Sequence, residues 1–487
     1  MTKLKCIGIC MLWMLIGMGG TDSALGMVHT YPVPQGETLS PDYEVFIDGQ
    51  RVDVATIQVG EAFANPPYSF GSMYSYVQFD LNQPVEIMVK AAGLAMDHVA
   101  VLPQSRNISI QKLSPDTIRF SINGPTKLSI EPAGRCRPLL LFANSLENNA
   151  PKPGDPKVIY FAPGIHRPPG GSIEVKSGET VYLAGGAVVE AGIHAANANN
   201  ITIRGRGVLS GDRWAIHEGP VKGVKGFVNF VNCRNVRMEG IVLRGAYDWT
   251  VVPQNCEGVD IQNIKICNLR VRINDDGIDL CNSRHVKIQD VFIRTADDTI
   301  AVKGLKKDWG PVDDVVVENS ILWSDLARIV LLGHESRASK MENIGFRNID
   351  VIHTGQWPFF LFEPGDDMLL RNVRVEDVRI HAEGNPPGAW YGELTPPQWT
   401  AVIRPNPTQY ASRTWGRIED IRFKNITVEG PPGKYVFLVE AAADHRDRRM
   451  KNITFENVLI NGRRMTMDSP EFIMGPWVNP ENAISVK

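Results

Sequence analysis

The chain has 487 residues, with 43% hydrophobic and 22% charged side chains, the balance of a folded chain with a sizeable core rather than a disordered one. Its formal net charge is −3 and its Lys and Arg residues are dispersed, which leaves no basic footprint for nucleic acid or an anionic membrane. Seven cysteines occur without a Cys-x-x-Cys pair, which argues against a thiolate metal site.

Residues 1–26 read as a secretory signal. Lys3 and Lys5 precede an apolar run from Cys6 to Gly20, and Ser23-Ala24-Leu25-Gly26 supplies small residues for cleavage. The run is short for a membrane-spanning helix, so the expectation is a secreted or periplasmic protein without membrane attachment after cleavage. Cys136, Cys233, Cys256, Cys267 and Cys281 lie beyond it, an odd number that leaves at least one thiol free. Their expected role is burial as small apolar residues. Cys256–Cys267 and Cys267–Cys281 bridges stay open.

Residues 27–150 predict an N-terminal β-sandwich. Short alternating runs such as Tyr43–Ile47, Tyr76–Leu81, Val85–Val89, Thr117–Ile122 and Leu139–Phe142 are split by turn residues, the pattern of many short strands. Asn149 to Pro156 is Pro-rich and reads as the linker.

Residues 151–487 repeat one unit. Asn235-Val-Arg-Met-Glu-Gly-Ile-Val-Leu is echoed by His285-Val-Lys-Ile-Gln-Asp-Val-Phe-Ile, Asn343-Ile-Gly-Phe-Arg-Asn-Ile-Asp-Val and Asn452-Ile-Thr-Phe-Glu-Asn-Val-Leu-Ile. The first apolar positions, Val236, Val259, Val286, Val315, Ile344 and Val373, follow at intervals of 23, 27, 29, 29 and 29 residues. A sustained period of this size means a solenoid, and apolar–polar alternation within each unit means strands. The central Asn or Asp marks a bend between two strands. The predicted fold is all-β: a right-handed parallel β-helix preceded by the sandwich, which is expected to cap an open end of the helix. The interval from Ile380 to Ile418 carries an insertion with Trp390, Tyr391, Trp399, Tyr410 and Trp415. Insertions in a solenoid are expected as loops on one face, and these rings are candidates to stack on sugar.

Two acidic motifs mark the candidate site. Asn274-Asp275-Asp276-Gly277 and Ala296-Asp297-Asp298-Thr299 each end a strand-like run, with Asp276 and Asp297 21 residues apart. On adjacent turns their strands would lie about 4.8 Å apart, and a diagonal offset would set the carboxyls about 6.5–9.5 Å apart, the separation used in inverting glycoside hydrolysis. Crowded carboxylates repel, so one is expected to keep a proton and act as an acid beside a base. Asp275 and Asp279 read as structural turn residues, as does Asp366-Asp367. A calcium site from Asp275, Asp276 and Asp298 has suitable oxygen donors, but the hydrolytic chemistry needs no metal or other cofactor.

The motif set, with Ala296-Asp-Asp-Thr-Ile-Ala-Val-Lys303 and Gly333-His334 downstream, resembles the polygalacturonases of glycoside hydrolase family 28 over roughly residues 156 to 470. That family shows Asn-Thr-Asp-Gly, Gln-Asp-Asp-Cys-Ile-Ala-Ile-Lys and Gly-His-Gly on a parallel β-helix. The two-part layout is similar to the dextranase and isopullulanase group. The resemblance implies Asp297 as general acid, and Asp276 and Asp298 as carboxylates that hold and activate water. It sets His334 beside them as a catalytic-site residue. Lys303 takes the place of the family's Lys and, with Trp390, Trp399 and Trp415, makes up the substrate-binding candidates. The implied partner is a polysaccharide or oligosaccharide, of pectin type or a neutral α-glycan. The chain departs from the family in two places. Gly-His-Gly is Gly333-His334-Glu335, and the Arg-Ile-Lys that grips a galacturonate carboxylate is missing, its region reading Gln356-Trp357-Pro-Phe-Phe-Leu-Phe-Glu363. Arg328 or Arg337 is the available substitute. A non-catalytic carbohydrate-binding β-helix and a polysaccharide lyase are the alternatives.

Overall fold

The computed structural model describes residues 27–66, 68–270, 274–355, 357–382, 398–406, 414–431, 435–441, 450–479 and 484–487. The signal-like segment 1–26 lies outside them. No helix among the described residues is long and apolar enough to cross a membrane.

The N-terminal part is a sandwich of a six-stranded and a five-stranded sheet. Tyr43–Ile47, Val85–Ala91 and Thr117–Ile122 pair antiparallel in the smaller sheet. Met73–Leu81, Leu139–Ser145 and Thr126–Glu131 form the centre of the larger one, where Leu139–Ser145 runs parallel to Met73–Leu81. Alternation decides which face is buried: Val45, Ile87, Val89, Ile118 and Phe79 fill the space between the sheets.

From Val158 onward the chain winds as a parallel β-helix. One sheet of 19 strands wraps two faces of each turn, and a second of 11 strands forms the third. Val236, Val259, Val286, Val315, Ile344 and Val373 are register partners in that order, so the repeat phasing read from the sequence is the stacking itself. The polar residues that open and divide each unit have a backbone reason. Asn235, His285, Asp314, Asn343 and Asn372, and the mid-unit Asp290, Asn319, Asn348 and Asp377, all lie at φ between 52° and 58°. Asn and Asp tolerate that left-handed corner better than other side chains. The corners also bond to one another, as in Asn372 Nδ2 to Asn343 Oδ1 at 2.6 Å and Asn348 Nδ2 to Asn319 Oδ1 at 2.7 Å.

The sandwich lies along the flank of the β-helix rather than over its end, which corrects the capping expectation. Val188, Val208, Val242, Phe292 and Ile321 present one apolar ladder across successive turns. They form one buried cluster with Ile57, Tyr74, Tyr76, Leu140 and Phe142 of the sandwich. Lys265 occupies the same ladder and is fully buried; its Nζ donates to Asn144 Oδ1 at 2.5 Å and Gly240 O at 3.1 Å. A salt bridge crosses the seam at Arg206–Asp80 (2.8 Å), and a hydrogen bond joins His353 Nε2 and Glu131 Oε1 across it (2.9 Å). All five described cysteines are free, four of them buried.

Candidate active site

The acidic motifs sit on the outer side of the 11-stranded sheet. Strand Ile278–Cys281 pairs with Ile300–Lys303, and that strand with Val330–Leu332. Backbone bonds continue the register ahead of the strands: Thr250 N to Asp276 O (2.8 Å), Gly277 N to Asp298 O (2.8 Å) and Thr299 N to Arg328 O (3.0 Å). Trp249, Asp276, Asp298 and Arg328 therefore follow one another on four consecutive turns. Gly277 permits this approach, since a Cβ there would meet Thr299 O at 2.4 Å.

Asp276 thus faces Asp298 directly, and Asp297 is the diagonal neighbour. The three each bring a carboxylate oxygen within 4.8 Å of the others, closer than the separation expected from a diagonal offset. In-register stacking at the strand spacing causes this tightness. Asp276 and Asp298 are buried, and Asp297 is the more exposed member.

Each carboxylate has a different set of partners. Asp298 Oδ1 accepts the Arg328 amide at 2.9 Å, and both its oxygens lie 3.4 Å from Arg328 Nη1. Asp297 Oδ2 accepts the Asn274 amide at 2.8 Å and Oδ1 the Asp298 amide at 3.0 Å. Asp276 Oδ1 is buried and makes no hydrogen bond among the described residues. Burial, then the neighbouring Asp298, raises the Asp297 carboxyl above the usual carboxylate range. Burial and then Asp279 and Asp297 raise Asp276 well above it. Groups so close cannot all ionise, so the cluster keeps a proton. Its spacing also suits a cation, but amides and a guanidinium already claim lone pairs of Asp297 and Asp298.

Beneath the cluster Asp275 is fully buried, and its Oδ1 accepts the amides of Ala296 (3.1 Å) and Asp297 (2.8 Å). Burial pushes its carboxyl up to about 8. Lys303 is also buried and holds several carboxylates at once. Its Nζ is 2.7 Å from Asp279 Oδ1, 2.7 Å from Glu335 Oε2 and 3.5 Å from Asp276 Oδ2. The same ammonium lies 3.5 Å from the Trp249 ring centroid, and Lys225 Nζ lies 4.2 Å from it. Lys225 in turn pairs with Asp248 at 2.7 Å.

His334 Nδ1 is hydrogen-bonded to Glu363 Oε2 at 2.6 Å, and Glu363 Oε1 also accepts Arg404 Nε at 2.8 Å and Asn406 Nδ2 at 2.7 Å. Burial opposes the Glu363 charge, but His334, Arg404 and Asn406 outweigh it and hold the carboxyl down at about 2. Trp399 is in strand Gln398–Ile403 of the same sheet rather than in a loop, packed on Ala301, Leu331, Leu361 and Val402. Trp415 is half-buried and bridges to Gly365. Trp390 lies outside the described residues, as do Tyr391 and Tyr410. Sequence reasoning missed the partnerships of Glu335 and Asp279 with Lys303. It also missed Trp249 and Trp357, whose ring lies 4.2 Å from Arg328 Cζ. The signal that was available is the register: Trp249 and Arg328 are the residues that repeat phasing puts before Asp276 and after Asp298.

Residues 172–322 match the model of glycosyl hydrolases family 28. Isopullulanase of Aspergillus niger is 25% identical over 415 residues, covering 69% of this chain and 67% of that protein. The chain is a glycoside hydrolase. Polygalacturonase QRT2 of Arabidopsis thaliana is 30% identical to the hydrolase over 114 residues, a stretch covering 22% of this chain and only 26% of the relative. Among solved structures, Dex49A from Penicillium minioluteum superposes with a TM-score of 0.66 at 15% identity, covering 94% of the hydrolase and 96% of that chain. At that identity the likeness is one of fold, and it extends over the sandwich and the β-helix together. The hydrolase carries its acidic cluster beside the 11-stranded sheet of the parallel β-helix.

Proposed function

We propose that the hydrolase cleaves α-glycosidic bonds of a polysaccharide with inversion at the anomeric carbon, and that it acts outside the cytoplasm. Asp297 is the general acid: it is the most accessible of the three carboxyls and its proton affinity is raised. Asp276 and Asp298 hold the attacking water, with the otherwise unbonded Asp276 Oδ1 as one acceptor. The observation that carries this reading is the three-carboxylate cluster within 4.8 Å with Arg328 on one member. A spacing this short is nearer the retaining than the inverting separation. Inversion is favoured nonetheless, because no member is a free nucleophile. Asp298 is tied to a guanidinium and an amide, and Asp276 favours its protonated form. Proton NMR of the first sugar released decides the point: the β-anomer is expected, and the α-anomer would mean a covalent glycosyl-aspartate and overturn inversion.

The substrate favoured is a neutral α-glycan. A uronate carboxylate calls for a cation left to pair with it. Four cations near the cluster are already paired: Lys303 with Asp279 and Glu335, Arg328 with Asp298, Lys225 with Asp248 and Arg404 with Glu363. Pullulan, for which the similar isopullulanase is named, is the first substrate to test. Reducing-sugar release from pullulan, dextran, rhamnogalacturonan and polygalacturonate gives the answer. Release from pullulan or dextran is expected; release from polygalacturonate alone would overturn the neutral-glycan reading.

A further inference from the structure

We propose that Glu335 is a positioning residue for hydrolysis: by binding Lys303 it keeps the ammonium from closing on Asp276, and so leaves Asp276 able to exchange a proton. The proposal rests on the reading that Asp276 takes part in the chemistry. It starts from a departure in this chain, since the third position of Gly333-His334-Glu335 is Gly in the family it resembles.

The geometry carries the argument. An ammonium has three protons to donate. Glu335 and Asp279 each hold Lys303 Nζ as an ion pair at 2.7 Å, closer than Asp276 does, while the Trp249 ring covers a further side at 3.5 Å. Asp276 is left with a 3.5 Å contact, long for a charge-assisted bond, which closes to about 2.8 Å when unhindered. Around Asp276 the acidic neighbours Asp279, Asp297 and Asp298 oppose its charge, and Lys303 favours it. Around Lys303 the facing groups are Asp279, Asp276, Glu335 and the Cys281 thiol. Glu335 faces Lys303, His334 and Lys225, which outweigh its burial and keep it ionised. Glu335 thus competes with Asp276 for one positive charge. Its own charge is secured from the far side, so it wins.

The test is the pH profile of kcat/KM on whichever glycan the panel identifies. Glu335→Gln frees the ammonium for Asp276, stabilises its carboxylate and moves the acidic limb about one unit to lower pH. Lys303→Met removes the ammonium and moves the same limb to higher pH. Glu335→Asp, which keeps the charge, returns the limb toward the wild-type position. A residue that only supports the fold would lower kcat without moving the limb in opposite directions. Superimposable profiles, or movement of the alkaline limb alone, overturn the proposal. The Glu335 side chain is 25% exposed and Gln is close in shape; if that variant does not fold, Glu335→Ala, which removes the same charge, gives the deciding measurement. Full activity in Asp276→Asn would instead show that the hydrolytic assignment of Asp276 is at fault.

Discussion

Asp298 stands directly over Asp276 on the next turn of the β-helix, joined through the Gly277 N to Asp298 O bond of 2.8 Å. Strand stacking thereby forces two carboxylates to one side of the sheet at the spacing of the backbone itself. Asp297, one residue earlier, enters diagonally and is the member that solvent reaches. The roles proposed above, Asp276 and Asp298 as a water-holding pair and Asp297 as an accessible acid, rest on that offset.

Asp297→Asn is expected to lower kcat by about 10²–10⁴-fold, the range of a lost general acid. The fold should persist, because the single amide oxygen can still accept one of the two backbone amides, Asn274 or Asp298, that the carboxylate oxygens now accept. Reducing-sugar assays with circular dichroism check both halves. Turnover near the wild-type rate would remove Asp297 from the mechanism.

Arg328→Met withdraws the cation that faces both Asp298 oxygens. Arg328 also lowers the proton affinity of Asp297, so its loss should move the alkaline limb of the pH–rate profile, the one a general acid sets, to higher pH while kcat falls. A limb that stays in place would show that Arg328 serves only the packing against Trp357.

Stability should depend on pH through Asp275. Its carboxyl sits at about 8 when folded against an ordinary 3.8, with burial as the main cause. The folded state therefore binds more protons than the unfolded one between those values, and stability falls as pH rises through them. Thermal midpoints should drop from pH 5 to pH 8, and Asp275→Asn, which keeps an acceptor for the Ala296 and Asp297 amides, should flatten that slope. An unchanged slope in the variant would assign the dependence to other groups.

The seam between sandwich and solenoid makes the two parts interdependent. Phe142 and Phe292 meet edge-on across it at 5.2 Å between ring centroids. Phe142→Ala should cost about 3–5 kcal/mol, as for a buried aromatic truncated in a packed core, measured by denaturant unfolding. Deleting residues 27–150 should yield an aggregating β-helix, because Val242, Phe292, Ile321 and Trp323 would face water. A soluble and active truncation would show that the flank needs no cover.

The amino-acid order by itself determined the solenoid, its phase and the identity of the acidic motifs. The reason is local: a strand's alternation and the left-handed corners at Asn343, Asn372 and their counterparts are set by each residue's own backbone preference and by its copy one turn away. The aromatic insertion was legible only as composition, and Trp399 proved to be part of a sheet strand because a repeat with an insertion still contributes a rung. Tertiary structure alone decided the rest. That the sandwich lies on the flank depends on which outward positions of the second face are apolar, and Lys265 breaks that pattern while being buried there. That Glu335 and Asp279 share Lys303 depends on side chains reaching across turns far apart in sequence. That Asp276 stacks in register with Asp298, with Asp297 diagonal to it, depends on a one-residue difference in register. Such distances are fixed by how turns stack, and no single turn carries them.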